Sequence, residues 1–182
     1  YAKIGRKLIM QVAFIAHAIG ILTTIYASSY NVLLISTLLI GIGNGCTEAA
    51  CNPMIADAYT GNEFSSKMNR FHMWFPGGIV LGSLISKFMT DASLPWQAQI
   101  WVILVPTVIY AIMFWGQSFP QPKAEASSPV ANFKAMLNPL YLFMAACMAL
   151  TAISEFGPQQ WVGPILAKAG ASPMLILALV TG

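Results

Sequence analysis

Glu48 stands where a carboxylate is hardest to keep. Residues 32–56 carry no other charge and are long enough to cross a bilayer as a helix. A carboxylate inside such a span costs about 2.5–3.5 kcal/mol, so it faces a protein interior or a wet cavity. Asn44 and Asn52 lie four residues before and after it, which stacks three polar groups on one helix face. Three chemistries suit that carboxylate. It can carry a proton, because desolvation favours the neutral form of an acid. It can accept hydrogen bonds from solute hydroxyls, or it can be a structural group bonded to a neighbouring helix.

Other polar residues also fall in apolar surroundings. His72 opens an aromatic stretch with Trp74 and Phe75, followed by Pro76, Gly77 and Gly78. A polar group beside an aromatic face is a way to hold a sugar ring, so His72 and Phe75 are candidate solute contacts; the plainer reading is core or lipid anchor. Glu155 has Thr151 and Gln159 one turn away on either side, with Gly157 and Pro158 between. That pair is expected to interrupt the helix, and broken helices near the midplane are where transporters place binding sites. Glu155 and Gln159 are therefore candidate ligands or gating groups. His17, alone on an apolar helix, reads as a satisfied core group. Gly41, Gly43 and Gly45 read as a helix–helix seam, since small residues let helices approach in lipid. Pro53 predicts a local bend. Cys46, Cys51 and Cys147 have no metal-ligand spacing and read as apolar filler; no metal or organic cofactor is expected.

The elements that must position these residues follow from composition. Hydrophobic residues make up 57% and charged residues 8%, against about 25% charged in soluble domains. This is an all-α polytopic membrane protein, and the net charge of +3 gives no ground for nucleic-acid binding. Five spans are expected, at 8–26, 32–56, 68–86, 96–115 and 139–166, and a sixth starts at Met174. A polar loop at 57–67 and a linker at 117–138, rich in Pro, Ser and Ala at its start, separate them. With five crossings, Lys3, Arg6, Lys7, Lys67, Arg70, Lys123 and Lys134 fall on one side, and Lys87 and Lys168 on the other. The positive-inside rule then places 1–7, 57–67 and 117–138 in the cytoplasm. The chain opens without Met in a basic segment and stops inside an apolar run, as a piece of a longer protein would.

This order of loops and spans resembles the middle of a major facilitator superfamily transporter. Lys3-Ile4-Gly5-Arg6-Lys7 is similar to the end of that family's loop motif Asp-Arg-x-Gly-Arg-Arg/Lys, with Ala2 where the family has Asp. The resemblance implies a fragment of a twelve-helix fold: 1–116 as the end of loop 2–3 and helices three to six, 117–138 as the cytoplasmic inter-half linker, and 139–182 as helix seven and the start of eight. A narrower resemblance lies in residues 43–53, Gly-Asn-Gly-Cys-Thr-Glu-Ala-Ala-Cys-Asn-Pro. This is similar to helix four of fucose-permease-like sugar–proton symporters, whose glutamate is tied to proton coupling and falls on Glu48. Met68-Asn69 is similar to the Leu-Asn that opens helix five there. His72 and Phe75 replace that branch's glutamine and asparagine.

The expectation is therefore an inner-membrane secondary transporter, a monomer when full length, coupled to H+ and importing a monosaccharide or similar polar solute by alternating access. Glu48 would exchange protons; Asn44, Asn52, His72, Phe75, Glu155 and Gln159 would line the path. An exporter of drugs or metabolites is the nearest alternative. An intramembrane enzyme and a structural membrane subunit are remoter, since no catalytic signature accompanies these residues.

Overall fold

The computed structural model describes residues 5–120, 128–173 and 175–176, and these are helical with no strand among the described residues. The chain divides into two compact units. Tyr1–Phe75 and Leu84–Ala126 form one, and Pro76–Ser83 and Ser127–Gly182 form the other. Residues 1–4, which include Lys3 and Ile4 of the loop-motif resemblance, lie outside the described residues, as do 121–127 of the linker. Met174 and residues 177–182, most of the expected sixth span, do too.

In the first unit, α1 (Arg6–Ile25) and α2 (Tyr30–Ala58) are joined by four residues, so they must lie antiparallel as neighbours. Ser29 caps α2 by accepting a hydrogen bond from the Val32 N–H at 3.4 Å, which satisfies one of the donors a helix start leaves free. The face of α1 turned to its neighbours carries Arg6, Met10, Ala13, His17, Gly20 and Thr24, spaced alternately four and three residues apart. That spacing keeps one face on a partner along a left-handed helix pair. Apart from Met10 its members are small or polar, while Leu8, Val12, Ile15, Ile19 and Leu22 on the other side point outward. The pattern suits a bilayer, where lipid solvates Leu as well as protein does and close packing drives helix association.

Gly20 is needed for this approach. A β-carbon there would stand 2.8 Å from Ile40 Cγ1 and 3.0 Å from the Ser36 carbonyl oxygen. Next to it Ser36 is wholly buried. Thr24 Oγ1 donates either to its Oγ at 3.0 Å or to the Gly20 carbonyl at 2.9 Å.

The chain then runs through α3 (Gly61–His72) and α4 (Trp74–Asp91) to α5 (Trp96–Trp115). α5 packs on α1 through aromatic groups. Phe14 meets Tyr110 edge-on at 6.3 Å, Tyr110 stacks on Phe114 at 5.8 Å, and Tyr26 meets Trp101 at 6.4 Å. Met10, Ala50, Ala111 and Phe114 form the buried apolar cluster among the three helices. Across the turn between α4 and α5, Ser86 Oγ bonds Gln99 Oε1 at 2.6 Å, and Gln99 Nε2 donates to Thr90 Oγ1 at 3.0 Å.

Two expectations are corrected here. The third span does not form as one helix over 68–86; α3 ends at His72 and α4 starts at Trp74, with Met73 between. Pro76 explains the join, because it lacks an N–H for the carbonyl of residue 72 and its ring crowds that carbonyl. Nor is 57–67 a loop. Asp57 and Ala58 finish α2, and α3 begins at Gly61, whose φ of +56° favours glycine. Among the described residues α1, α2, α5 and α7 (Pro139–Lys168) are long and apolar enough to cross a membrane. α4, which bears Lys87 and Asp91 near its end, is the shorter element.

The second unit holds α6 (Pro129–Met136) within the expected linker and then α7. Ser128 caps α6 through the Ala131 N–H at 3.1 Å, and Asn138 caps α7 through the Leu140 N–H at 2.9 Å. The break expected at Gly157-Pro158 is absent: α7 runs on through Pro158 and Pro164. A proline removes one backbone bond, whereas opening the chain in lipid would leave several groups unsatisfied. α2 likewise continues through Pro53.

Candidate functional site

Three polar rungs tie α1 to α2. The Thr24–Ser36 bond is at one end. At the other, the Arg6 guanidinium pairs with Asp57 and donates to the Pro120 carbonyl at 3.2 Å. Arg6 is fully buried there, so its charge is matched by the carboxylate and by hydrogen bonds. This rung joins the start of α1, the end of α2 and the chain after α5.

The middle rung is His17. Its Nε2 lies 2.9 Å from Asn44 Oδ1 and its Nδ1 lies 2.9 Å from the Tyr110 hydroxyl. An amide oxygen only accepts, so Nε2 carries the hydrogen, and in the neutral ring Nδ1 then accepts from the Tyr110 O–H. The ring thus links α1, α2 and α5. It sits directly over Gly43, where a β-carbon would be 2.3 Å from His17 Cδ2. The reading of His17 as a satisfied group agrees with these bonds. The helix seam expected over Gly41, Gly43 and Gly45 passes over Gly43; the other two have open space around them.

The helical repeat places Glu48 relative to this seam. Each residue advances about 100°, so Glu48 lies about 140° round from Gly43 and shares its side with Gly41, Gly45 and Asn52. Asn44 stands between seam and open side. Asn44 and Glu48 are exposed, and Glu48 has no hydrogen-bond or ion-pair partner among the described residues. Asn52 is half-buried, and its Oδ1 is buried without a partner among the described residues. A shallow groove lined by Leu34, Thr37, Leu38, Gly41 and Ile42 continues the same open face.

The remaining candidates lie on α3, α4 and α7. His72 closes α3, exposed, with its ring 5.3 Å from Phe71, and no hydrogen bond joins it to Glu48 among the described residues. Phe75 lies outward in the first turn of α4. Glu155 is exposed on α7 in the second unit, where Thr151 Oγ1 bonds back to the Cys147 carbonyl at 2.9 Å. The side chain of Gln159 lies outside the described residues.

His17 and Tyr110 are the functional candidates that pattern reading passed over. The signal was available: the short 26–29 connection fixes antiparallel pairing, and His17 falls in the four–three spacing of the α1 face.

An all-helical chain with several membrane-length helices tied by interhelical polar bonds is a polytopic membrane protein. This chain belongs to the Major Facilitator Superfamily, whose family model matches residues 1–182. It is 23% identical over 172 residues to a triacylglyceride transporter of Mycolicibacterium hassiacum, covering 91% of this chain and 32% of that protein. It is 26% identical over 164 residues to the synaptic vesicular amine transporter of Mus musculus, covering 86% of this chain and 31% of that protein. The chain thus spans about a third of the length of these relatives. No solved structure matches. Membership points to a secondary transporter rather than an enzyme. Neither relative is a sugar symporter by name, so the comparisons carry the superfamily and not the sugar branch.

Proposed function

We propose that the full-length protein is a proton-coupled secondary transporter of a small polar solute, working by alternating access, with Glu48 as the coupling carboxylate. The observation that carries this reading is a carboxylate, Glu48, inside a helix apolar and long enough to cross a membrane, on the side of α2 turned away from α1. A structural carboxylate in a membrane helix is held by a partner, whereas one that loads and releases a proton or meets a solute must stay accessible to a wet cavity. The likeness of residues 43–53 to the sugar–proton symporters favours uptake of a monosaccharide. Asn52, His72, Phe75, Glu155 and Gln159 remain part of that proposal as cavity-lining groups. The protein would be a monomer in the inner membrane with the Arg6–Asp57 end in the cytoplasm.

A second reading rests on the relative that carries amines by name. An unpaired carboxylate attracts an organic cation, which would be exported against protons. One experiment separates the two. The full-length protein in proteoliposomes is offered a hexose panel and, separately, monoamines, with internal pH recorded for wild type and Glu48→Gln. Proton entry driven by a hexose, lost in the variant while hexose counterflow persists, is the expected result. Proton movement opposite to an amine favours the export reading. A Glu48→Gln protein that couples normally to either solute removes Glu48 from the mechanism.

A further inference from the structure

The bonds of His17 fix more than helix packing. Asn44 has one amide oxygen and two N–H donors, and its oxygen is taken by His17 Nε2 at 2.9 Å. With that oxygen held against the ring, the N–H donors are the end of the amide left to turn away from it. Glu48, one turn further along α2, is acceptor only when ionised and has no partner among the described residues. A free amide could turn either end outward. This one is held by a ring that is itself held by the Tyr110 hydroxyl at 2.9 Å and seated on Gly43.

We infer that His17 is a positioning residue, which orients Asn44 so that a donor and an acceptor stand one turn apart on the open side of α2. This rests on the reading of that side as the solute path. The pair forms a subsite for a group that both accepts and donates, and a solute hydroxyl is such a group. A quaternary ammonium, with no hydrogen to donate and no lone pair to accept, would gain nothing from the Asn44 half of the pair. The arrangement therefore selects hydroxyl-bearing solutes over permanently charged cations, and the selection originates on α1 and α5 rather than on the residues that touch solute.

The substitutions that test this differ in which ring nitrogen they imitate. The Gln amide nitrogen reaches the place of Nε2 and can still donate to Asn44 Oδ1, whereas the shorter Asn amide reaches only the place of Nδ1. In the full-length protein, hexose counterflow is measured for His17→Gln and His17→Asn. His17→Asn is expected to raise KM about tenfold with maximal rate nearly unchanged, as loss of one oriented bond implies, and His17→Gln to stay within about threefold of wild type. Equal effects of the two substitutions would mean that the ring only fills space, and would overturn the inference.

A second measurement needs no solute. Nitrogen-15 spectra of histidine-labelled protein in nanodiscs, assigned with the His17→Gln variant, should show Nε2 protonated and Nδ1 accepting, with the Nδ1 resonance moving in Tyr110→Phe. A protonated Nδ1 on neutral His17, or no response to Tyr110→Phe, overturns the orientation argument. If no hexose is transported but these spectra are as expected, the sugar reading fails and the positioning of Asn44 stands.

Discussion

The imidazole of His17 occupies the space that a β-carbon on residue 43 would need, 2.3 Å from the ring carbon Cδ2. Helices α1 and α2 approach this closely because Gly43 has no side chain. The ring in turn spends both nitrogens on neighbouring helices, so packing and hydrogen bonding depend on the same residue pair. Gly43→Ala must push the ring out or part the helices. Overpacking of this kind costs about 1–3 kcal/mol, so the variant should unfold at lower temperature in detergent. Gly41→Ala and Gly45→Ala meet nothing within 4 Å and should leave the melting temperature unchanged or slightly raised, since alanine favours a helix over glycine. Equal melting of all three variants would remove His17–Gly43 as the site of close approach.

The charged rung gives a prediction of opposite character. Arg6 is buried with its carboxylate partner and the Pro120 carbonyl. Asp57→Asn takes from that guanidinium the carboxylate it pairs with in a poorly solvated place, and breaking a fully buried pair costs about 3–5 kcal/mol. Asp57 is itself about a quarter exposed, so the lower end of that range is expected. Arg6→Met combined with Asp57→Leu should recover much of the loss, because neither charge is then stranded. Chemical unfolding of the two singles and the double gives the cycle, and simple additivity of the singles would show that the two residues are not coupled.

These rungs also show where the sequence was legible. Membrane spans follow from the length of apolar runs, so α1, α2, α5 and α7 are where composition puts them. The seam is harder to read because α1 is apolar on both sides. Its buried residues mix Arg6 and Gly20 with Met10, Ala13, Ala16, Ile21 and Ile25, whereas Leu8, Ile15 and Ile19 face outward. A search for an apolar stripe does not tell the two sides apart. Prolines misled in both directions: Pro76 marks a real join at Met73, while Pro158 leaves α7 unbroken. Local chemistry gives a proline the same cost in both places, and the surroundings decide whether the helix tolerates it. That Glu48 and Asn44 lie one turn apart on α2 was readable from spacing. That Asn44 is oriented by His17 needed the register of two helices and a third from far along the chain.

Ser36 tests the packing at the far end of the seam. It is wholly buried, accepts from Thr24 Oγ1, and donates to the Leu33 carbonyl at 2.7 Å. Ser36→Ala removes the hydroxyl without adding volume and should cost about 0.6 kcal/mol, the usual scale for a hydrogen bond between membrane helices. Ser36→Leu brings a large side chain against Gly20 and should cost several times more, on the order of 1–3 kcal/mol. Thermal unfolding of the two variants would show the order, and a greater loss in Ser36→Ala would mean that hydrogen bonding, not close approach, holds this end.

Glu48→Gln separates stability from function. Its carboxylate has no partner among the described residues, so replacing it by an amide of the same shape breaks no hydrogen bond seen there. Substitutions away from packed or paired groups change stability by about 0.5 kcal/mol or less, and removing a charge from a membrane helix lowers its insertion cost. The variant should melt at or above the wild-type temperature while losing proton coupling. A structural carboxylate bound to another helix predicts the reverse, a lower melting temperature with coupling intact. Melting and proton flux measured on the same purified full-length protein decide between them, because the two roles predict opposite changes in each.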